Sequence, residues 1–139
     1  MARILVVDDD NAVRLLLRSM LERRGHSVVE AENGAEGLQY YRTAPADLVI
    51  TDIQMPVMDG LQMIKKLRAD FPTAKIIAIS GEKGGLAAAQ LLSQGTFEKP
   101  LYMQEFLDAV QKFASAPGTS IYMLQPSALA AVYSVQGDA

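Results

Sequence analysis

Residues 48–60, Leu48-Val49-Ile50-Thr51-Asp52-Ile53-Gln54-Met55-Pro56-Val57-Met58-Asp59-Gly60, decide the fold. Leu48 to Ile50 is a short, unbroken apolar run with two β-branched residues, the pattern of a strand buried on both faces. Strands of that kind belong to parallel sheets covered by helices. Asp52 stands where the run ends, and Met55-Pro56 and Asp59-Gly60 behind it are loop and helix-start signals. A carboxylate at the C-terminal edge of a parallel strand lies where open α/β sheets place their ligands. Ordinary turn residues give the same local pattern, so Asp52 acquires meaning only from partners elsewhere in the chain.

Outward from this stretch, the same grammar repeats. Ile4-Leu5-Val6-Val7 is a fully apolar strand ending in Asp8-Asp9-Asp10. A helix follows, with Val13, Leu16, Leu17, Met20 and Leu21 on the apolar stripe, and with Arg14, Arg18 and Arg23 expected to face water. Gly25 is its expected stop. Ser27 to Ala31 is a strand, and Asn33-Gly34 opens a helix carrying Ala35, Leu38 and Tyr41 on one face. Leu61, Ile64 and Leu67 mark a third helix, closed by Phe71-Pro72. Lys75 to Ile79 is a strand ending in Ser80-Gly81, and an Ala-rich helix over about Leu86 to Ser93 follows. Thr96-Phe97-Glu98 is a short last strand running into Lys99-Pro100, before a helix with Phe106, Val110 and Phe113. Strands alternating with helices predict an α/β fold, a doubly wound parallel sheet of five strands with right-handed crossovers.

The 139 residues make about one domain. A net charge of −3 and a pI near 5.1 argue against a nucleic-acid surface, which needs clustered Lys and Arg. The absence of Cys excludes disulfides and thiolate chemistry. No apolar run approaches the ~20 residues of a membrane span. The N-terminus enters a strand almost at once without signal-peptide organisation, so a cytoplasmic protein is expected.

The chemistry-bearing residues collect at strand ends. Asp8 and Asp9 end the first strand, Asp52 the third, Ser80 the fourth and Lys99 the fifth, and a parallel sheet brings all of these ends to one edge. Two like charges ~4 Å apart repel by roughly 4 kcal/mol at an effective dielectric of 20, so several carboxylates together require a cation. Lys99 supplies one charge, and an oxygen-only ligand set without His or Cys suits Mg²⁺. Such a site can carry a phosphoryl group on a carboxylate. Asp52 is then the nucleophile, and Ser80 and Lys99 bind the arriving oxygens.

Over about residues 2–114 the chain resembles the receiver domain of two-component response regulators, of the stand-alone chemotaxis-regulator kind. The resemblance rests on Val7-Asp8-Asp9, on Asp52 followed by Met55-Pro56 and Met58-Asp59-Gly60, on Ser80-Gly81 and on Lys99-Pro100. It implies a flavodoxin-like (βα)5 fold with strand order 2-1-3-4-5. It also implies that Asp52 is the phosphoacceptor, fed by a histidine kinase or phosphotransfer protein and read by a downstream protein. Asp9 and Asp52 would ligate Mg²⁺ with the backbone carbonyl of Gln54, and Asp8 would act mainly through water. Ser80 would be the switch hydroxyl, and Lys99 would pair with the phosphoryl group through a cis bond to Pro100. Gln54 and Glu82 match the positions that gate attacking water, which implies slow self-dephosphorylation and no further dedicated enzyme activity; as exposed loop residues, they have an equally ordinary reading.

Two departures stand out. The family's aromatic switch position, three residues before Lys99, holds Thr96, and strand alternation sends Phe97 to the opposite face. The segment from Ser80 to Lys99 is also shorter than usual in the family, with Lys83-Gly84-Gly85 leading into a short helix. These departures keep a rival open, a degenerate receiver that acts through protein contact without phosphorylation. A phosphatase using an aspartyl-phosphate is a poorer fit, because the position of its second acid is taken by Gln54. Asp10 reads as a helix N-cap. His26, after the stop of the first helix, reads as a surface residue far from the cleft. The Arg-rich outer face of the first helix reads as a solvated face, with kinase contact as a minority reading. Residues 115–139 lie outside the resemblance. Their Ile121 to Leu124 and Leu129 to Val135 are too apolar for an ordinary disordered tail and too short for an effector domain. They are expected to dock on helix 4, strand 5 and helix 5 of the same chain, or to support a homodimer there.

Overall fold

The computed structural model describes residues 2–81 and 83–116, without the side chains of residues 83–85. The elements are β1 (Arg3–Val7), α1 (Asn11–Arg23), β2 (Ser27–Ala31), α2 (Gly34–Thr43), β3 (Leu48–Asp52), α3 (Gly60–Asp70), β4 (Ile76–Ser80), α4 (Lys83–Leu92), β5 (Gly95–Glu98) and α5 (Met103–Ser115). All strand pairs are parallel, and the sheet order is β2-β1-β3-β4-β5, as expected. Residues 115–139 had been expected to dock on the last elements; of these, residues 117–139 lie outside the described residues, as does Glu82.

Alternation along the strands builds two cores. Leu5, Val7, Val49 and Ala78 face α2, α3 and α4, whereas Ile4, Val6, Ile50 and Ile79 face α1 and α5. Register then fixes the functional edge. Val7 pairs with Thr51, Asp52 with Ile79, and Ser80 with Glu98. The residues at or just after these ends therefore meet along one line. Buried Arg68 ties the helical layer to the sheet, donating to the carbonyls of Leu92 at 2.9 Å and Ala74 at 2.6 Å.

Caps define the helix starts. Asp10 accepts from the N–H groups of Ala12 and Val13, and Asn33 from that of Glu36. Asp59 and Gln62 form a reciprocal capping box at the start of α3. Gly25 adopts φ +89 just beyond the end of α1, the conformation in which glycine stops a helix at least cost.

Five expectations are corrected. Arg14 does not face water: it shares the stripe of Leu17 and Leu21 and is buried, because its guanidinium finds a carbonyl and carboxylates within reach. Leu16, expected inside, is 52% exposed, and Ala35 is exposed while Leu38 and Tyr41 are buried. His26 is also buried, because its Nδ1 accepts the N–H of Ala2 at the start of the sheet. Finally, α4 begins at Lys83 and takes in Gly84-Gly85. A five-residue strand is ~16 Å long, and a helix returning along it at 1.5 Å per residue needs about ten residues. Between Ser80 and Gly95 no residue can be spared, so tertiary need overrides the poor helix propensity of glycine.

The junction of β3 and α3 is the tightest point. Gly60 donates to the Ile53 carbonyl at 2.8 Å, and a Cβ on Gly60 would overlap the backbone carbonyl oxygen of Asp52. Gly60→Ala therefore forces the strand end apart. The expected loss is about 3 kcal/mol of stability in urea unfolding, and a loss below a few tenths would refute this packing.

Candidate functional site

The acidic side chains are delivered by two strand ends, Asp8 and Asp9 after β1 and Asp52 at the end of β3. Asp52 is the last residue of β3, and Asp8 follows β1, where its N–H donates to the Ala31 carbonyl at 3.1 Å. Asp8 and Asp52 are buried and Asp9 is exposed. Carboxylate oxygens of Asp8, Asp9 and Asp52 lie within 4.8 Å of one another. Lys99 reaches in from the end of β5, its Nζ 3.3 Å from Asp52 Oδ2 and 3.7 Å from Asp8 Oδ2. Lys99 is held by its N–H donating to the Ser80 carbonyl at 2.9 Å, and its bond to Pro100 is cis, as expected. Asp8 Oδ1 accepts the Asp10 N–H at 2.9 Å, and Asp52 Oδ1 accepts the Gln54 N–H at 3.4 Å.

The charges are unbalanced. Burial is the largest cause that raises the Asp8 pKa, with Asp52 and Asp9 adding repulsion; the Asp10 N–H and Lys99 oppose them and lose. Burial pulls the Lys99 ammonium down, but Asp8 and Asp52 together outweigh it, and its pKa is raised. Among the described residues, the ion pairs that reach Asp8 and Asp52 come from Lys99. One ammonium against three carboxylates leaves room for a cation. The all-oxygen donor set, partly buried and partly open through Asp9, fits a hard divalent ion such as Mg²⁺.

The loop after Asp52 is strained. Val57 sits at φ 70 and is 85% exposed, and the N–H of Met58 donates to the Pro56 carbonyl at 2.8 Å. That is a γ-turn of the rare hand, adopted by a β-branched residue. Its far side is gripped by Gly34, whose N–H donates to the Met58 carbonyl at 3.0 Å. No sequence signal marks this strain, since turn chemistry predicts Gly or Asn at such a φ.

The other expected positions divide. Ser80 is fully buried at the end of β4 beside the Lys99 backbone. Gln54 and Pro100 are exposed at the same edge. Thr96 pairs with Ala78 and so shares its face, toward α4. Phe97 takes the other face and stacks edge-on against Phe106, with ring centroids 5.3 Å apart. Arg14 was missed as a neighbour of the site: its Nη1 donates to the Asp8 carbonyl at 2.6 Å. An Arg on the buried stripe of Leu17 and Leu21 was the available signal.

A family model described as the response regulator receiver domain matches residues 4–111. The chain is 35% identical over 114 residues to the chemotaxis protein CheY of Bacillus subtilis, covering 79% of this chain and 95% of that one. It is 33% identical over 114 residues to the DNA-binding transcriptional regulator NtrC of Azospirillum brasilense, covering 80% of this chain and 24% of that one. Indeed, the chain spans less than half the length of the first curated relatives it matches. Among solved structures, the response regulator TrrA of Thermotoga maritima, in complex with Mg²⁺–BeF, superposes with a TM-score of 0.76 at 33% identity. It covers 81% of this chain and 99% of that one. No helix of the described residues is long and apolar enough to cross a membrane.

The folded Asp8 pKa lies above the ordinary carboxyl value of 3.8, so its contribution to stability is fully present below that pH. It is lost as the pH rises through the folded pKa. Near neutral pH and in chelator, Asp8→Asn is expected to melt about 2–5 °C above the native chain. Acidification toward the carboxylate range narrows the gap. A native chain that melts higher than Asp8→Asn would show that the three-carboxylate cluster carries no repulsive cost.

Proposed function

Since the chain belongs to the response regulator receiver family, we propose that it is a phosphorylation-dependent signalling switch of a two-component system. Asp52 accepts a phosphoryl group from a histidine kinase or a histidine phosphotransfer protein. A carboxylate oxygen of Asp52 forms the new bond to phosphorus as the bond from phosphorus to the donor imidazole breaks, and the imidazole departs with that electron pair. Lys99, already within 3.3 Å of Asp52, neutralises a phosphoryl oxygen as it arrives, and the Ser80 hydroxyl donates to another.

Asp8, Asp9 and Asp52 would hold Mg²⁺ with the carbonyl of Gln54, and the bound ion supplies positive charge against the phosphoryl oxygens. Gln54 and Glu82 are assigned to positioning the water that removes the phosphoryl group, which gives slow self-dephosphorylation. The observation that carries the reading is the meeting of three carboxylates within 4.8 Å, with Lys99 as their counter-charge, on the edge where the strand ends converge. By this reading the protein works in the cytoplasm. It signals by contact with a downstream protein or a second copy through α4, β5 and α5, where residues 117–139 are also assigned to dock.

One observation favours the rival, a receiver that binds partners without being phosphorylated. Thr96 offers no ring behind Ser80, and Phe97 is committed to Phe106. The complete acidic set with Lys99 argues against it. Intact mass spectrometry after incubation with Mg²⁺ and a small-molecule phosphodonor separates the two. A phosphate-sized gain is expected for the native chain, absent from Asp52→Ala and suppressed by chelator. No gain, together with no binding of a beryllofluoride mimic, leaves the phosphate-independent module.

A further inference from the structure

We propose that Arg14 is a positioning residue for the divalent cation: it fixes the peptide joining Asp8 to Asp9 and so aims both carboxylates. The inference rests on the switch reading above, because it needs a cation at that site. Arg14 lies on α1 yet is only 6% exposed, and its guanidinium is spent on several partners at once. Nη1 donates to the Asp8 carbonyl at 2.6 Å, Nη2 to the Asn11 side chain, and Nε to Glu30 Oε1 at 3.3 Å. The other oxygen of Glu30 accepts from Arg18 Nη1 at 2.9 Å, which holds Glu30 in place from the outer face of the helix.

A peptide group is planar, so pinning the Asp8 carbonyl oxygen sets the plane from which Asp9 departs. The following peptide is pinned from the other side, by the Asp10 N–H on Asp8 Oδ1 at 2.9 Å. Two constraints on consecutive peptides leave the turn little freedom, although Asp9 is itself exposed. The guanidinium does not serve as counter-charge to the cluster. Its polar groups face a carbonyl, an amide, Glu30 and, at 3.9 Å, Glu32, whereas Lys99 makes the ion pairs to Asp8 and Asp52. Groups that orient metal ligands from behind are worth about 10–100-fold in metal affinity.

Charge and geometry predict opposite signs here. Removing a positive charge near a cation site tightens Mg²⁺ by Coulomb attraction alone, whereas loss of ligand orientation weakens it. Calorimetric titration of the full chain with MgCl₂ alone, paired with thermal melting, reads the difference. Arg14→Met is expected to raise the Mg²⁺ Kd about tenfold. Arg14→Lys keeps the charge but cannot span the Asp8 carbonyl and Glu30 together, so it is expected to weaken binding in the same direction. Leu17→Ala loosens the same helix without touching Asp8 and is the control, expected to leave the Kd within about twofold while lowering the melting temperature.

An unchanged or tighter Kd in Arg14→Met overturns the proposal, and so does an equal loss in Leu17→Ala. If Arg14→Met does not fold, Arg14→Lys decides by the same criterion. A native chain that takes up no Mg²⁺ overturns the switch reading as well, whereas variants that match a Mg²⁺-binding native chain overturn the role of Arg14 alone.

Discussion

Mutual repulsion among Asp8, Asp9 and Asp52 is the constraint around which the rest of the structure is arranged. Carboxylates this close do not stay together by preference, and at Asp8 burial first, with repulsion from Asp52 and Asp9 added, disfavours the charged form. The cost is met by elements that have no chemistry of their own. Two apolar layers clamp the sheet from both sides, and four parallel pairings leave the strand ends no room to drift. Lys99 reduces the repulsion without cancelling it, and the remaining imbalance is what a bound cation would offset. In this sense the repulsion within the cluster and its fitness for a cation are the same property.

Backbone detail turns this general arrangement into a specific one. Gly60 lets α3 start against the very carbonyl of Asp52, where any Cβ would intrude. The γ-turn at Val57 reverses the chain within a few residues of Asp52, and the strain it stores is held in by Gly34 on one side and the Asp59–Gln62 capping box on the other. Arg14 does the corresponding work on β1, acting on the Asp8 carbonyl rather than on any carboxylate of the cluster. The two acidic strand ends are thus braced by opposite means, one by the absence of a side chain and the other by a long, buried, charged one.

The sheet was legible because buried parallel strands read as unbroken apolar runs, and their ends could be matched to Asp8, Asp52, Ser80 and Lys99 by alternation with helices alone. Strand order was supplied by the family resemblance, since periodicity does not distinguish orders. What the sequence hid were residues whose polar atoms are satisfied at long range. Arg14 and His26 look like surface residues until the partners that receive them, the Asp8 carbonyl and the Ala2 N–H, are known. The start of α4 was misjudged for a related reason: two glycines argue locally against a helix, but the length of β4 demands one. Val57 was invisible because strain breaks local rules by definition.

The substitution at the aromatic position bears on how a change at Ser80 travels. Thr96 shares the face of Ala78, so no ring from β5 lies there to follow Ser80, and the neighbouring ring of Phe97 is packed against Phe106 in the opposite core. Turning Phe97 out would forfeit an aromatic contact and open the α5 face, a cost no movement of a serine hydroxyl recovers. The C-terminal end of α4 is equally committed, because buried Arg68 donates twice to the Leu92 carbonyl and Gln94 binds the Ile76 N–H. Gly81, by contrast, is exposed with open space around its Cβ position, directly after Ser80. A ring-turning response at this strand therefore lacks its usual means: Thr96 has no ring, and the ring of Phe97 is held by Phe106 in the opposite core.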